Sequence, residues 1–319
     1  MINYTLSYLN ILRTYYNIAL GCWVFNIKGI LAPVFTPMDD AGNINLEVIE
    51  EYVLHLHREK VRGILVGGTT GEAALLNLAE RKTLLAAWVR AAKLLGLQVI
   101  SQVGGAPMPD VIALAKYSQE VGADAILTLP ELYYKPKTVE QLVEYLEIVS
   151  KAAPSLPLIY YHFPMMSGVD VSMTQFFSVA SSRIPTFKGL KADLGVAVQI
   201  TELLAPDQRV FIANHHLATS VLMGHESNIA TVTNIFPDLV TGIVEAVKSG
   251  DIVLARTKQE KMNRIVDSIA SHGDFLPAMK AAMELKTGLK VGPPRKPLTS
   301  LRETDKCNLE NQLRALNVL

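Results

Sequence analysis

Residues 98–130 read QVISQVGGAPMPDVIALAKYSQEVGADAILTLP, and this stretch decides the fold class. It opens with a short apolar run, Gln98–Val103, ended by Gly104 and Gly105. An amphipathic stretch, Pro109–Val121, follows and stops at Gly122, the residue type that most easily takes the left-handed helix-ending conformation. A second apolar run, Asp124–Leu129, ends at Pro130. Short, largely apolar runs bounded by turn residues fit strands buried on both faces. A strand, a crossover helix and a strand make a parallel pair.

The same unit repeats in both directions. Upstream lie the runs Gly29–Thr36 and Arg62–Gly67. Downstream lie Pro157–His162, Thr186–Lys191, Arg209–Ala213 and Ser227–Val232. Between them the periodicity predicts helices over Asn45–Lys60, Arg81–Leu95, Thr138–Ala153, Ser172–Ser182, Gly195–Leu204, Leu217–Gly224 and Phe236–Ser249. Asn77 with Glu80 three residues on is a capping-box signature. Eight strand–helix units predict an α/β fold, a (β/α)8 TIM barrel, over residues 28–249. An open doubly wound sheet would carry a glycine-rich turn after its first strand. Here Thr36-Pro37-Met38 stands there instead.

Residues 250–319 predict a helical appendage packed on the barrel. Its helices are expected at Asp251–Ser271, Phe275–Thr287 and Thr304–Leu316. The proline-rich 292–297 segment separates the last two. Residues 1–27 are rich in Tyr, Asn and Leu, with Arg13 the sole charge. They lack a clear basic start and cleavage site, and are expected to be an extension, its order unknown.

Composition narrows the function classes. The 319 residues suffice for a full core, and 50% hydrophobic with 19% charged excludes a disordered chain. Lys+Arg and Asp+Glu each number 30, which leaves no electrostatic footprint for nucleic acid or an anionic membrane. No run approaches the roughly 20 apolar residues of a membrane span. Cys22 and Cys307 share no motif, and the expected compartment is the reducing cytoplasm.

In a TIM barrel the chemistry sits at the carboxyl ends of the strands. After the second run comes Gly67-Gly68-Thr69-Thr70-Gly71-Glu72, either a seat for a small carboxylate or phosphate or an ordinary glycine-rich turn. Tyr133 and Tyr134 follow the fourth run. The fifth ends in Tyr160-Tyr161-His162-Phe163-Pro164. Alternation lets only one of that tyrosine pair face the interior, where its hydroxyl relays protons or merely satisfies a carbonyl. The sixth reads Phe187-Lys188-Gly189-Leu190-Lys191, with Lys191 at the carboxyl end. A desolvated lysine there can attack a carbonyl and form a Schiff base, or it can reach solvent at the rim. Asn214 and His215 after the seventh run suit hydrogen bonding to a polar substrate. No carboxylate joins the adjacent histidines, so no metal is expected. His55 and His57 do not share a helix face and are given no role. The eighth run carries Ala230 and Thr231.

Gly68-Thr69-Thr70-Gly71-Glu72, Tyr160-Tyr161-His162-Phe163-Pro164 with Ser167-Gly168-Val169, and Gly189-Leu190-Lys191 together resemble the pyruvate-dependent lyase/aldolase family. The resemblance runs from about Lys28 through Gly292-Pro293-Pro294-Arg295 and is closest to the animal sialate lyases. It implies a Schiff-base lyase that cleaves N-acetylneuraminate to N-acetylmannosamine and pyruvate, needs no cofactor and assembles as a homotetramer. By position Lys191 would be the Schiff-base lysine, Tyr161 the proton-transfer tyrosine, and Thr69 and Thr70 the pyruvate carboxylate's seat. Tyr133 would be the tyrosine that such members insert into a neighbouring subunit's site, with Tyr134 its substitute. The dihydrodipicolinate synthases carry an arginine where Met166 stands, and methionine cannot hold a carboxylate.

Five residues in three places depart from the family pattern. Asp193 replaces a hydroxyl residue. Asn214 and His215 replace an Asp-Glu pair that grips sugar hydroxyls. Ala230 and Thr231 replace Gly-Ser. All three lie where the sugar would be recognised. The alternatives are therefore a lyase for another 2-keto-3-deoxy sugar acid, or a non-catalytic sugar or keto-acid binding paralogue.

Overall fold

The computed structural model describes residues 25–213 and 215–319. Eight parallel strands close into a barrel in chain order. They are β1 Ile30–Pro33, β2 Gly63–Val66, β3 Gln98–Gln102, β4 Ala125–Thr128, β5 Leu158–Tyr161, β6 Phe187–Ala192, β7 Arg209–Ile212 and β8 Asn228–Ile229. Each lies within a predicted run, except that β6 continues past Lys191 to Ala192. The barrel helices are α1 Ile49–Arg58, α2 Leu78–Leu94, α3 Met108–Val121, α4 Val139–Ala152, α5 Pro164–Ser167, α6 Met173–Arg183, α7 Leu194–Ile200, α8 Leu217–Leu222 and α9 Pro237–Lys248.

Local chemistry sets the helix ends. Asn77 and Glu80 form the expected capping box at the start of α2. Gly122 ends α3 in the left-handed conformation. The predicted 195–204 helix breaks into α7 and a tighter turn at Thr201–Leu203. The short α5 was not legible as a helix. Pro164 pre-sets its first turn and Gly168 ends it at once.

Strand alternation separates two cores. Leu31, Leu65, Ile100, Leu127, Ile159, Phe211 and Ile229 fill the barrel interior. Their neighbours Ala32, Ile64 and Val66 pack outward with Trp88 and Val240, while Ile126, Leu158 and Leu190 meet Phe176 and Phe187. Each large apolar side chain buried this way is worth about 1.5–3 kcal/mol. Phe25 and Ile27 join the interior cluster. Arg209 donates to the Phe25 carbonyl at 3.0 Å, so the packed body begins ahead of Lys28.

β6 breaks the alternation. It pairs Leu158 with Phe187 and Ile159 with Gly189, skipping Lys188 in a bulge. Lys188 turns to Asp207 at 2.6 Å. Gly189 has φ +134°, and a Cβ there would stand 1.8 Å from the Arg209 carbonyl oxygen. Only glycine fits.

The appendage helices are α10 Ile252–Ala270, α11 Phe275–Thr287 and α12 Glu303–Ala315. Met262, Ile265, Met279, Met283, Leu309 and Leu313 share one buried cluster with β1, β2, α2 and α9. No helix among the described residues is long and apolar enough to cross a membrane.

Candidate active site

β5 and β6 set Tyr161 directly opposite Lys191. Both side chains are buried. The Lys191 Nζ lies 3.6 Å from the centroid of the Tyr161 ring. Phe163 stacks parallel to the Tyr161 ring, with ring centroids 5.5 Å apart. Burial pushes the Lys191 amine below the ordinary lysine range, while the Tyr161 phenol pulls the other way. The net shift makes the neutral amine, the form that attacks a carbonyl, easier to reach than for an exposed lysine.

The loop after β2 brings hydroxyls to this pair. The Thr69 hydroxyl approaches the Tyr161 hydroxyl to 3.4 Å. Thr70 is buried and its hydroxyl is 2.9 Å from that of Thr231. The loop is held from behind. Thr36 donates to the Gly71 carbonyl at 2.6 Å. Glu72 takes a left-handed backbone with φ 56°. Its carboxylate accepts from the Lys280 ammonium at 2.9 Å and from the Arg295 amide at 2.7 Å. Lys280 also donates to the carbonyls of Thr36 at 3.1 Å and Pro293 at 2.9 Å. The Arg295 guanidinium donates to both Glu80 oxygens and to the carbonyls of Gly42 and Leu75. The appendage thereby fixes the threonine loop.

These groups open on a cavity of about 250 Å³ at the carboxyl end of the barrel. Thr69, Thr70, Tyr161 and Lys191 line one part, and His215, Ala230 and Thr231 another. Burial pushes the His215 imidazole below its ordinary value; His216 adds to this and Asp267 opposes it. It therefore offers a neutral ring, one nitrogen donating and one accepting.

Two predicted residues lie apart from this group. Asp193 is exposed and caps α7, its carboxylate accepting from the Val196 amide at 2.9 Å. A helix amino end, rather than a cation, satisfies its charge. Tyr133 is 82% exposed and lines a separate outer groove with Tyr134, Met108 and Ile148. It does not line the Lys191 cavity of its own chain. Asn214 lies outside the described residues.

The profile of the Dihydrodipicolinate synthetase family matches residues 26–316. The chain belongs to that family. The N-acetylneuraminate lyases of Rattus norvegicus and Homo sapiens are 31% and 32% identical to it, each covering 92% of this chain and 93% of the relative. Solved structures titled as N-acetylneuraminate lyases of Proteus mirabilis and Aliivibrio salmonicida align with TM-scores of 0.87 each. Their identities are 28% and 30%; both cover 92% of this chain, and 99% and 98% of the solved ones.

Some site residues of this dihydrodipicolinate synthetase family member escaped the sequence reading. Val266, Phe275, Leu276 and Met279 reach the cavity from α10 and α11. Apolar periodicity alone assigns such residues to a core. Lys280 left a clearer trace, as a lone charge among Ala278, Met279, Ala281 and Ala282.

Proposed function

We propose that this protein is a Schiff-base lyase that cleaves N-acetylneuraminate to N-acetylmannosamine and pyruvate. The observation that carries the reading is the buried Lys191 amine over the Tyr161 ring, with no carboxylate beside it among the described residues. The N-acetylneuraminate lyase relatives supply the sugar acid.

In this reading the neutral Lys191 amine attacks the keto carbon of the open-chain acid, and water leaves to give an iminium. Thr69 and Thr70 hold the adjacent carboxylate. Tyr161, in its phenolate form, accepts the proton of the C4 hydroxyl as the C3–C4 bond breaks and later returns it to C3. The bond's electron pair moves to the iminium nitrogen and forms an enamine. N-acetylmannosamine departs as the aldehyde. The enamine is protonated at C3, and water releases pyruvate and restores the amine.

The same reading takes the chain as a cytoplasmic homotetramer. The exposure of Tyr133 and Tyr134 on an outer groove supports insertion of one of them into a neighbouring copy's cavity. Ala230 and His215, which line the cavity where the family carries other residues, favour a second reading, cleavage of another 2-keto-3-deoxy sugar acid.

Borohydride trapping with pyruvate, followed by peptide mass spectrometry, tests the chemistry. A reduced pyruvyl adduct is expected on Lys191. A folded protein with no adduct overturns both readings and leaves a binding paralogue. Given the adduct, a panel of sugar acids separates the two readings by which member is cleaved.

A further inference from the structure

The loop between β7 and α8 carries His215 into the cavity, and a side chain outside the barrel holds that loop at two points. Gln259 lies on α10. Its amide nitrogen donates to the His215 carbonyl at 2.7 Å, and its amide oxygen accepts from the Ala218 N–H at 2.9 Å. The same nitrogen donates to the Asn263 oxygen at 2.8 Å, one helical turn further along. Asp267 continues the row at the same spacing and acts electrostatically on the His215 ring. A side-chain amide with both ends engaged holds its partner loop in one geometry. Val266 on the same helix lines the cavity itself, so α10 is both a wall and a brace.

We infer that Gln259 is a positioning residue for substrate recognition: it fixes His215 so that the imidazole hydrogen-bonds a hydroxyl on the aldehyde half of the substrate. The inference rests on the proposed lyase reading, in which Lys191 and Tyr161 act on the pyruvate half. Lys191 carries the only amine, and no guanidinium lines the cavity, among the described residues. An aldehyde half carrying a phosphate or a second carboxylate would sit there unpaired. The class accepted is an uncharged polyhydroxy aldehyde.

The test compares Gln259→Leu and Gln259→Glu with the wild type. The leucine removes both bonds at similar volume. The glutamate keeps an acceptor for Ala218 but cannot donate to the His215 carbonyl. Both variants are expected to raise the KM for the sugar acid about tenfold, in line with the loss of a hydrogen bond or two. Pyruvate trapping at Lys191 and kcat should stay within about twofold. In His215→Ala, adding Gln259→Leu should raise KM by no more than about a further twofold. An unchanged KM in either single variant overturns the inference. So does a fully multiplicative double variant, and so does a fall in trapping that parallels the rise in KM. Wild-type protein that fails to trap pyruvate overturns the lyase reading instead, and this inference with it.

Discussion

Lys191 and Lys280 are hidden almost equally, at 4% and 1% exposure, and are wired in opposite ways. Lys280 meets the Glu72 carboxylate and two backbone carbonyls, so each of its three protons has an acceptor. Lys191 meets an aromatic face. For Lys280 burial also pulls the ammonium below its ordinary range, but the Glu72 carboxylate opposes that pull, and the pair ties α11 to the loop after β2. For Lys191 burial, with no counter-ion among the described residues, weakens the hold on a proton. Burial alone does not make a lysine reactive; the partners decide.

The sharpest way to break this contrast is to remove each lysine in turn. Lys191→Ala should abolish pyruvate trapping and lower cleavage by at least ~10³-fold while the protein stays folded, as followed by turnover and circular dichroism. Residual cleavage near wild type would mean that the amine is not the nucleophile. Lys280→Ala should do the reverse at first order. It leaves the Glu72 carboxylate buried without a cation, at a cost of about 3–5 kcal/mol in denaturant unfolding. Where the variant still folds it should trap pyruvate. A loss under about 1 kcal/mol would show that the pair contributes little over solvent.

Tyr161→Phe isolates what the aromatic partner does. The ring remains under the amine and against Phe163, and only the hydroxyl is lost. Trapping should persist while cleavage falls ~10²-fold, a typical effect of removing a proton-transfer group. Equal losses in both assays would assign the hydroxyl to forming the Schiff base rather than to breaking the carbon–carbon bond.

The smallest effect is on stability against pH. The unfolded chain keeps the Lys191 proton up to the ordinary value of 10.5, and the folded chain releases it earlier. The unfolded state therefore binds more protons between the two values, and stability rises with pH across that interval. Below it the wild type carries the full penalty of a buried ammonium, which Lys191→Met lacks. At pH 7 Lys191→Met should unfold at higher denaturant than the wild type, with the gap narrowing as pH approaches 10.5. A gap that does not change with pH would place the lysine's cost in packing instead.

The barrel was legible because each of the first five strands announces itself twice, by a largely apolar run and by the glycine or proline that ends it, as in Gln98–Val103 with Gly104. The carboxyl end of each strand could then be counted off, which put Thr69, Tyr161 and Lys191 on one rim. The bulge at Lys188 was not legible, because Gly189 looks like any glycine in a strand until the Arg209 carbonyl is seen against it. The distal wall was hidden for another reason. Phe275 and Met279 have the spacing of ordinary core residues, and only the docking of α11 over the barrel mouth turns them toward a cavity. Asp193 shows the converse. It stood at a family site position, and a helix amino end claimed it.

The bulge in β6 carries a consequence in parity. Phe187 and Leu190 both face the outer helices although they stand three positions apart, an odd step that a regular strand cannot take. The skipped residue reverses the odd–even count once, and every position beyond it inherits the reversal. Without it the sixth strand would present Leu190 to the interior and turn Lys191 out among the helices. The direction of the amine is thus settled at the far end of its strand, by a count rather than by a contact. Deletion of Lys188 would remove the skipped residue and the reversal together, so Lys191 would still face the interior; straightening the bulge with every residue kept would turn it out.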